Sequence, residues 1–231
     1  MTDHIDPSIL SFLTDVKLNN NKPWFDANRK RFEAARDSFI SFVEDMIAIV
    51  QAADANIGPQ DPAKCIYRMN RDIRFSPDKS PYKRHFGAFI ASGGRTSPLP
   101  GYYLHIQPGD ESFFCTGNYG LDAQLLKRLR TEIANFPEEL DAIVTAPAFR
   151  KRMRLSDDEK LKTLPRGYSI EPRYADYLKY KSLNAIVRYS DAELVAPGFS
   201  EKLRADIITA QPLNAFFHRA LETEPEEDYD L

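Results

Sequence analysis

The sequence predicts an α+β fold, in which a mainly antiparallel sheet of about five strands packs against a long N-terminal helix and a C-terminal helical group. The period of the apolar residues supports this prediction. It is helical over residues 7–55, alternates over much of residues 65–116, and becomes helical again after residue 120. Strands that are grouped between helical segments, instead of alternating with helices, distinguish this class from α/β folds.

The N-terminal part of the chain is predicted to form two helices. Residues 7–18 carry apolar side chains on neighbouring turns. An asparagine followed by Pro23 then marks the start of a second, long helix, which runs from Trp24 to about residue 55. The apolar residues of this helix fall on one face, as expected for a helix that packs on a sheet.

Alternating apolar residues predict the strands. The predicted strands cover residues 65–69, 87–91, 102–107, 112–116 and 185–189. The turn sequence at residues 108–110 predicts an antiparallel hairpin between the third and fourth strands. In the third strand, alternate residues from Tyr102 onward form an apolar face, so Tyr103 and His105 are expected on the opposite, polar face.

The rest of the chain is predicted to form helices and a C-terminal tail. Helices are predicted over residues 125–133, 138–144, 148–153, 202–208 and 213–221. No internal repeat or flexible linker is evident, which predicts one domain over residues 1–221. The last ten residues contain six acidic residues and no basic one, and they are predicted to form a flexible tail.

Composition excludes several classes of protein. In 231 residues, 42% are hydrophobic and 12% aromatic, which excludes a disordered or fibrous chain. No long uncharged apolar run is present, so no membrane span is predicted. The absence of a signal layout, with Cys65 and Cys115 as the only cysteines, predicts a reducing, cytoplasmic location. The four histidines lack metal-ligand spacing, so no metal site is predicted.

The formal net charge of −3 conceals an uneven distribution. Residues 64–85 contain seven basic and two acidic residues, a net charge of +5. Phe75, Tyr82 and two prolines lie among these charges, which is not typical of a solvated surface. The segment therefore predicts an anion-binding site, with a structural ion-pair network as the alternative.

Within this segment we expect Arg71, Arg74, Lys79 and Lys83 to bind an anion. Arginine offers a planar fork of donors that suits phosphate or carboxylate, and lysine offers a movable point charge. Asp72 and Asp78 are candidates for orienting the guanidinium groups or for acid–base catalysis. Their basic neighbours are expected to lower their pKa values, which suits positioning better than proton donation.

Four further residues are candidates. Asn20 precedes a predicted helix, where its side chain either faces an anion or caps the helix. Tyr82 and Tyr103 are available for stacking on a ligand. His105 is the histidine with a plausible catalytic setting, although a strand histidine is more often a hydrogen-bonding residue than a base.

Several motifs resemble one family. They are Asn-Asn-Asn-Lys-Pro-Trp-Phe at residues 19–25, Arg-Asp-Ile-Arg-Phe-Ser-Pro-Asp-Lys-Ser-Pro-Tyr-Lys at residues 71–83 and Gly-Tyr-Tyr-Leu-His-Ile at residues 101–106. Together with residues 164–168 and 178–182, they resemble the uncharacterised "domain of unknown function 2461" family from about residue 9 to residue 221. One departure is the sequence at residues 117–120, where such proteins carry a denser glycine run. The resemblance implies a single-domain soluble protein and supplies no activity or cofactor.

The residues thus support three hypotheses. The first is a cytoplasmic protein whose basic pocket binds a phosphate- or carboxylate-bearing small molecule, and which acts, if it is an enzyme, as a hydrolase or transferase. The second is a non-catalytic module that binds nucleic acid or an acidic partner through the same segment. The third is a structural motif that binds nothing. The sequence predicts neither a cofactor nor an oligomeric state.

Overall fold

A five-stranded antiparallel sheet forms the centre of the fold in the computed structural model, which describes residues 2–117, 120–156 and 160–222. The strands are β1 (Phe86–Ala91), β2 (Gly101–Ile106), β3 (Ser112–Gly117), β4 (Arg154–Leu155) and β5 (Asn184–Tyr189). Their order in the sheet is β1-β2-β3-β5-β4. The predicted hairpin is present as β2 and β3, which pair antiparallel.

Helices lie on both sides of the strands in the sequence, which confirms the α+β class. The helices are α1 (Pro7–Leu18), α2 (Lys22–Ala27), α3 (Arg29–Ala53), α4 (Pro62–Cys65), α5 (Ala123–Asn135), α6 (Pro137–Thr145), α7 (Pro147–Arg152), α8 (Asp191–Val195) and α9 (Phe199–Glu222), with a 3-10 turn at Tyr177–Lys179. The predicted tail begins at the last residue of α9, and residues 223–231 lie outside the described part of the chain.

The first predicted strand, at residues 65–69, is wrong. Asp61 accepts a hydrogen bond from the Ala63 N–H and caps a short helix, α4, that includes Cys65. Beyond this helix the segment pairs with β1 only briefly, through a bridge between Ile66 and Ala88 and a hydrogen bond from the Tyr67 N–H to the Gly87 carbonyl. The proline after Asp61 suits a first helical turn, and this local signal prevails over the apolar pattern.

The predicted long N-terminal helix is divided at Asn28. The side-chain amide of Asn28 donates to the Trp24 carbonyl at 2.9 Å, and its backbone leaves the helical conformation. Asparagine favours such local bonds over a continuous helix. The predicted start is confirmed, because Asn21 accepts a hydrogen bond from the Trp24 N–H and Pro23 lies in the first turn.

The two predicted C-terminal helices form one continuous helix, α9. Pro212 lies inside it and cannot donate the usual backbone hydrogen bond. Buried residues on both sides of the proline, including Ile207 and Leu213, keep α9 along the core. Apolar packing therefore outweighs the missing bond.

The helices cover one face of the sheet. Helix α3 packs against α9 and β1, and α9 packs against β3. Tyr102, Leu104 and Ile106 of β2 are fully buried beneath this layer. In the described residues, no helix is both long and apolar enough to cross a membrane.

Candidate functional site

Tyr103 and His105 lie on the second face of the sheet, as the alternation in β2 predicts. His105 stands opposite Gly87 of β1 and Phe113 of β3. Tyr103 and His105 are both half-buried, so this face of the sheet is partly accessible to solvent.

The basic segment folds back on itself as a loop. The backbone N–H of Arg71 donates to the Pro81 carbonyl, and that of Lys83 donates to the Met69 carbonyl. The loop therefore has two paired arms, near residues 69–71 and 81–83, and a tip between them. This geometry separates Lys83, at the base, from Lys79 near the tip.

The loop cations have partners within the loop. Arg71 donates to Asp78 at 2.7 Å, and Arg74 donates twice to Asp72, at 3.0 and 2.7 Å. The Lys79 ammonium donates to the Ile73 carbonyl at 3.0 Å. These contacts are those expected of the ion-pair alternative.

The two loop carboxylates are held in their ionised form. Hydrogen bonds from the side chain and backbone of Ser80, together with Arg71, lower the pKa of Asp78 to about 2. The Arg74 side chain and then its backbone N–H lower the pKa of Asp72. Both carboxylates are therefore poor proton donors near neutral pH and better suited to positioning.

Asn20 and Tyr82 anchor the loop to the helical layer. The Asn20 side chain donates to the Tyr82 carbonyl at 2.9 Å and accepts from the Tyr82 N–H at 3.0 Å. The buried Tyr82 ring stacks on Phe25 with centroids 3.9 Å apart. These contacts fix the backbone that presents the next residue, Lys83.

A second group of cations surrounds Tyr67, beside the edge of β1. The Arg95 guanidinium lies 4.9 Å and the Lys83 ammonium 5.2 Å from the centre of the Tyr67 ring. Burial lowers the pKa of Lys83, and the positive charges of Arg68 and Arg95 lower it further. We call Tyr67, Arg68, Lys83 and Arg95 the Tyr67 cluster. Within the described part of the chain, none of its three cations forms an ion pair with a carboxylate.

A pocket of 370 Å³, which we call the arginine pocket, adjoins the Tyr67 cluster. Its lining includes four arginines, Arg29, Arg36, Arg68 and Arg95, and no carboxylate among the described residues. Arg29 and Arg36 have acidic neighbours at 3.3 and 3.5 Å. Arg68 and Arg95 thus have no carboxylate partner among residues 2–117, 120–156 and 160–222, and they line a concave, partly aromatic surface.

A hydrogen-bond chain on the second sheet face fixes the tautomer of His105. Glu111 accepts from the amide nitrogen of Gln107, so the Gln107 oxygen faces His105 and accepts from its Nε2–H at 3.2 Å. The other ring nitrogen, Nδ1, therefore carries a lone pair and accepts from the Tyr103 hydroxyl at 2.9 Å. Burial raises the pKa of Tyr103 and lowers the pKa of His105, so the proton stays on the Tyr103 hydroxyl and the hydrogen bond orients that group.

His85 stacks against His105, with ring centroids 4.2 Å apart. Burial, and then the charges of His105 and Lys83, lower the pKa of His85 from 6.5 to about 3. Burial likewise lowers the pKa of His105. Both imidazoles are therefore neutral at pH 7.

We expect His85 to make the folded state less stable in mild acid. Because its folded-state pKa is depressed, the unfolded chain binds more protons between pH 6.5 and pH 3, and stability falls as the pH falls through this window. His85→Gln should flatten this dependence by at most about 1.4 kcal/mol per pH unit. Urea unfolding at pH 7, 6 and 5 measures the difference, and parallel pH profiles of the two proteins would contradict it.

The structure brings together only part of the residue set predicted from the sequence. Lys83 lies in the Tyr67 cluster, and its charge acts on the pKa of His105. Tyr67, Arg68, His85 and Arg95 were missed. Arg68 lies within the +5 segment, whose charge excess was a signal for it, whereas the Ser-Gly-Gly-Arg turn containing Arg95 reads only as a loop.

No group of three or more histidine, cysteine or acidic side chains in the described ranges is placed to hold a metal ion.

The chain was compared with known proteins. No curated protein and no solved structure matches it. The family described as "Conserved hypothetical protein (DUF2461)" matches residues 8–216, which is most of the chain. The protein therefore belongs to this family of conserved hypothetical proteins.

Proposed function

We propose that this protein binds a small molecule bearing a phosphate or carboxylate group, and that the Tyr67 cluster holds the anion. The observation that carries the proposal is the group Arg68, Lys83 and Arg95, which lack carboxylate partners in the described chain. Arg68 and Arg95 line the arginine pocket, and Lys83 lies against Tyr67 of the same lining. The sequence predicts Arg71, Arg74, Lys79 and Lys83 as the cations that bind the anion, and of these Lys83 belongs to the Tyr67 cluster.

The electrostatics of the cluster favour an anionic ligand. Arg68 and Arg95 lower the pKa of Lys83, which shows that the three positive charges repel one another in the folded protein. A bound anion would relieve this repulsion. The two guanidinium groups supply planar donor forks, and the ammonium supplies a point charge.

The shape of the pocket favours a small molecule over nucleic acid. The pocket volume of 370 Å³ suits a compact ligand. The walls of the pocket include Phe25, Phe32 and Tyr67. Extended single strands are instead held along open basic grooves. Hydrolysis or group transfer at the bound anion stays a prediction, for which the cations would stabilise developing negative charge.

The test is calorimetric titration with pyrophosphate, a nucleoside monophosphate, a sugar phosphate and citrate, after a thermal-shift screen of the same compounds. For any anion that binds, Arg68→Ala should weaken affinity about tenfold, because a charge-assisted hydrogen bond is lost. Arg166→Ala removes the same charge from an exposed residue far along the chain and serves as the matched control.

A second variant locates the anion. Arg74 lies in the loop and is paired with Asp72, so Arg74→Ala should leave affinity within twofold of the unmodified protein. Loss of binding in Arg74→Ala but not in Arg68→Ala would place the anion at the loop tip and refute the Tyr67 cluster. No response to any anion would refute the proposal altogether.

A further inference from the structure

We propose that a cavity on the second face of the sheet is a separate binding site for a neutral, largely apolar small molecule. The cavity measures 560 Å³ and lies over β2, β3 and β5. The loop around Leu99, Leu121 just before α5, and Leu125 in the first turn of α5 form its walls. We call it the sheet cavity. It is distinct from the arginine pocket, and its existence does not depend on anion binding.

Two glycines face each other in the floor of the sheet cavity, and neither position has room for a side chain. Gly101 of β2 pairs with Gly117 of β3. At Gly117, which has φ +122°, a β-carbon would lie 2.1 Å from the Leu183 carbonyl oxygen. At Gly101 it would lie 2.4 Å from the Ile90 carbonyl oxygen. The backbone thus excludes side chains that would fill this space.

The side walls are aromatic and aliphatic. Phe89, Tyr103, Phe113 and Ile186 line the cavity together with the leucines of its walls. The volume falls within the range of small-molecule sites in proteins, which are lined mainly by apolar groups with a few polar ones. A compact, largely apolar molecule suits a space of this size.

The charges around the cavity indicate a neutral ligand. Asp122 is the one charged residue among the described lining residues, and its carboxylate caps α5 by accepting from the Gln124 and Leu125 N–H groups at 2.9 Å each. Burial raises the pKa of the Cys115 thiol to about 12, so it is uncharged. Within the described lining, neither group offers a counterion to an anionic ligand.

Asn184 offers the cavity a polar side chain. The side-chain amide of Asn184 lines the cavity and forms no hydrogen bond within the described residues. The Tyr103 hydroxyl is hydrogen-bonded to His105, so Tyr103 contributes its ring to the cavity lining. A ligand with a single hydroxyl or carbonyl group would pair with Asn184, and the rest of the ligand would contact apolar walls.

The test uses the neutral dye N-phenyl-1-naphthylamine, whose fluorescence rises in apolar sites. We expect saturable binding of one dye per chain. Competition then compares two molecules with the same chain, 1-decanol and decanoate, at pH 8. Decanol should displace the dye at a concentration at least tenfold lower than decanoate, because the cavity provides no counterion for the carboxylate.

Two variants locate the dye. Ile186→Phe and Cys115→Leu both enlarge a lining side chain, and either should weaken dye binding at least tenfold. Arg188→Ala is the matched control, since Arg188 is an exposed residue on the same strand and the same face but outside the cavity lining. Thermal melting of each variant identifies any that fails to fold, and the second filling variant then supplies the test.

Three results would overturn the proposal. The first is the absence of saturable dye binding. The second is unchanged binding in a folded cavity-filling variant. The third is stronger competition by decanoate that disappears in Arg68→Ala, which would assign the dye to the anion site. Failure of anion binding with retained dye binding would refute only the proposed function.

Discussion

Replacing Phe12 by alanine is expected to lower the free energy of unfolding by about 4 kcal/mol. The Phe12 side chain is 1% exposed, and its ring lies 5.9 to 6.5 Å from the rings of Trp24, Phe25, Phe32 and Phe86. These rings belong to α2, α3 and β1, so Phe12 of α1 joins four elements. Alanine would leave a cavity that such a rigid aromatic group cannot close.

Urea unfolding followed by circular dichroism measures this change. The chain supplies a matched control, because Phe75 is 93% exposed in the basic loop. Phe75→Ala should change the free energy of unfolding by less than about 0.5 kcal/mol. Similar losses in the two variants would show that Phe12 does not hold the N-terminal elements together.

Replacing Asp206 by alanine is expected to cost about 3 kcal/mol. Asp206 of α9 is 1% exposed, and its carboxylate accepts two hydrogen bonds from Arg152, at 2.7 and 2.6 Å. It also accepts from the buried Tyr189 hydroxyl at 2.7 Å. The variant leaves that hydroxyl without an acceptor and the guanidinium without its counterion, and both losses are unfavourable.

An exposed ion pair on the same helix provides the comparison. Glu201 lies 3.4 Å from Arg204, and its side chain is 70% exposed. Glu201→Ala should cost less than about 1 kcal/mol, since solvent screens the pair. If Asp206→Ala unfolds at the same urea concentration as Glu201→Ala, the buried carboxylate does not stabilise α9 against α7 and β5.

Periodic segments of the fold could be predicted from the sequence. The hairpin of β2 and β3 follows from its turn and its alternation, and the placement of Tyr103 and His105 on the second face follows from the same pattern. Short elements were harder to predict, because a few residues show no periodic pattern. Strand β4, for example, has only two residues. Helix α8 carried a readable signal that was overlooked, because Ser190 and Glu193 form a capping box.

The candidate site was less accessible to sequence reasoning. Charge density located the basic segment, and pairing of its arginines with Asp72 and Asp78 was among the alternatives, but the local pattern could not decide between that pairing and anion binding. Arg95 is distant in sequence from Arg68, and both line the arginine pocket beside the edge of β1 that residues 66–67 cover. Contacts of this kind depend on tertiary packing, which local patterns do not encode.

That crossing also affects how the protein behaves in solution. The edge of β1 is covered where Ile66 bridges Ala88 and where the Tyr67 N–H donates to the Gly87 carbonyl at 2.9 Å. An uncovered edge strand offers unpaired backbone groups on which another molecule can add a strand. The segment that carries Tyr67 of the proposed anion site therefore also protects the sheet against edge-to-edge aggregation.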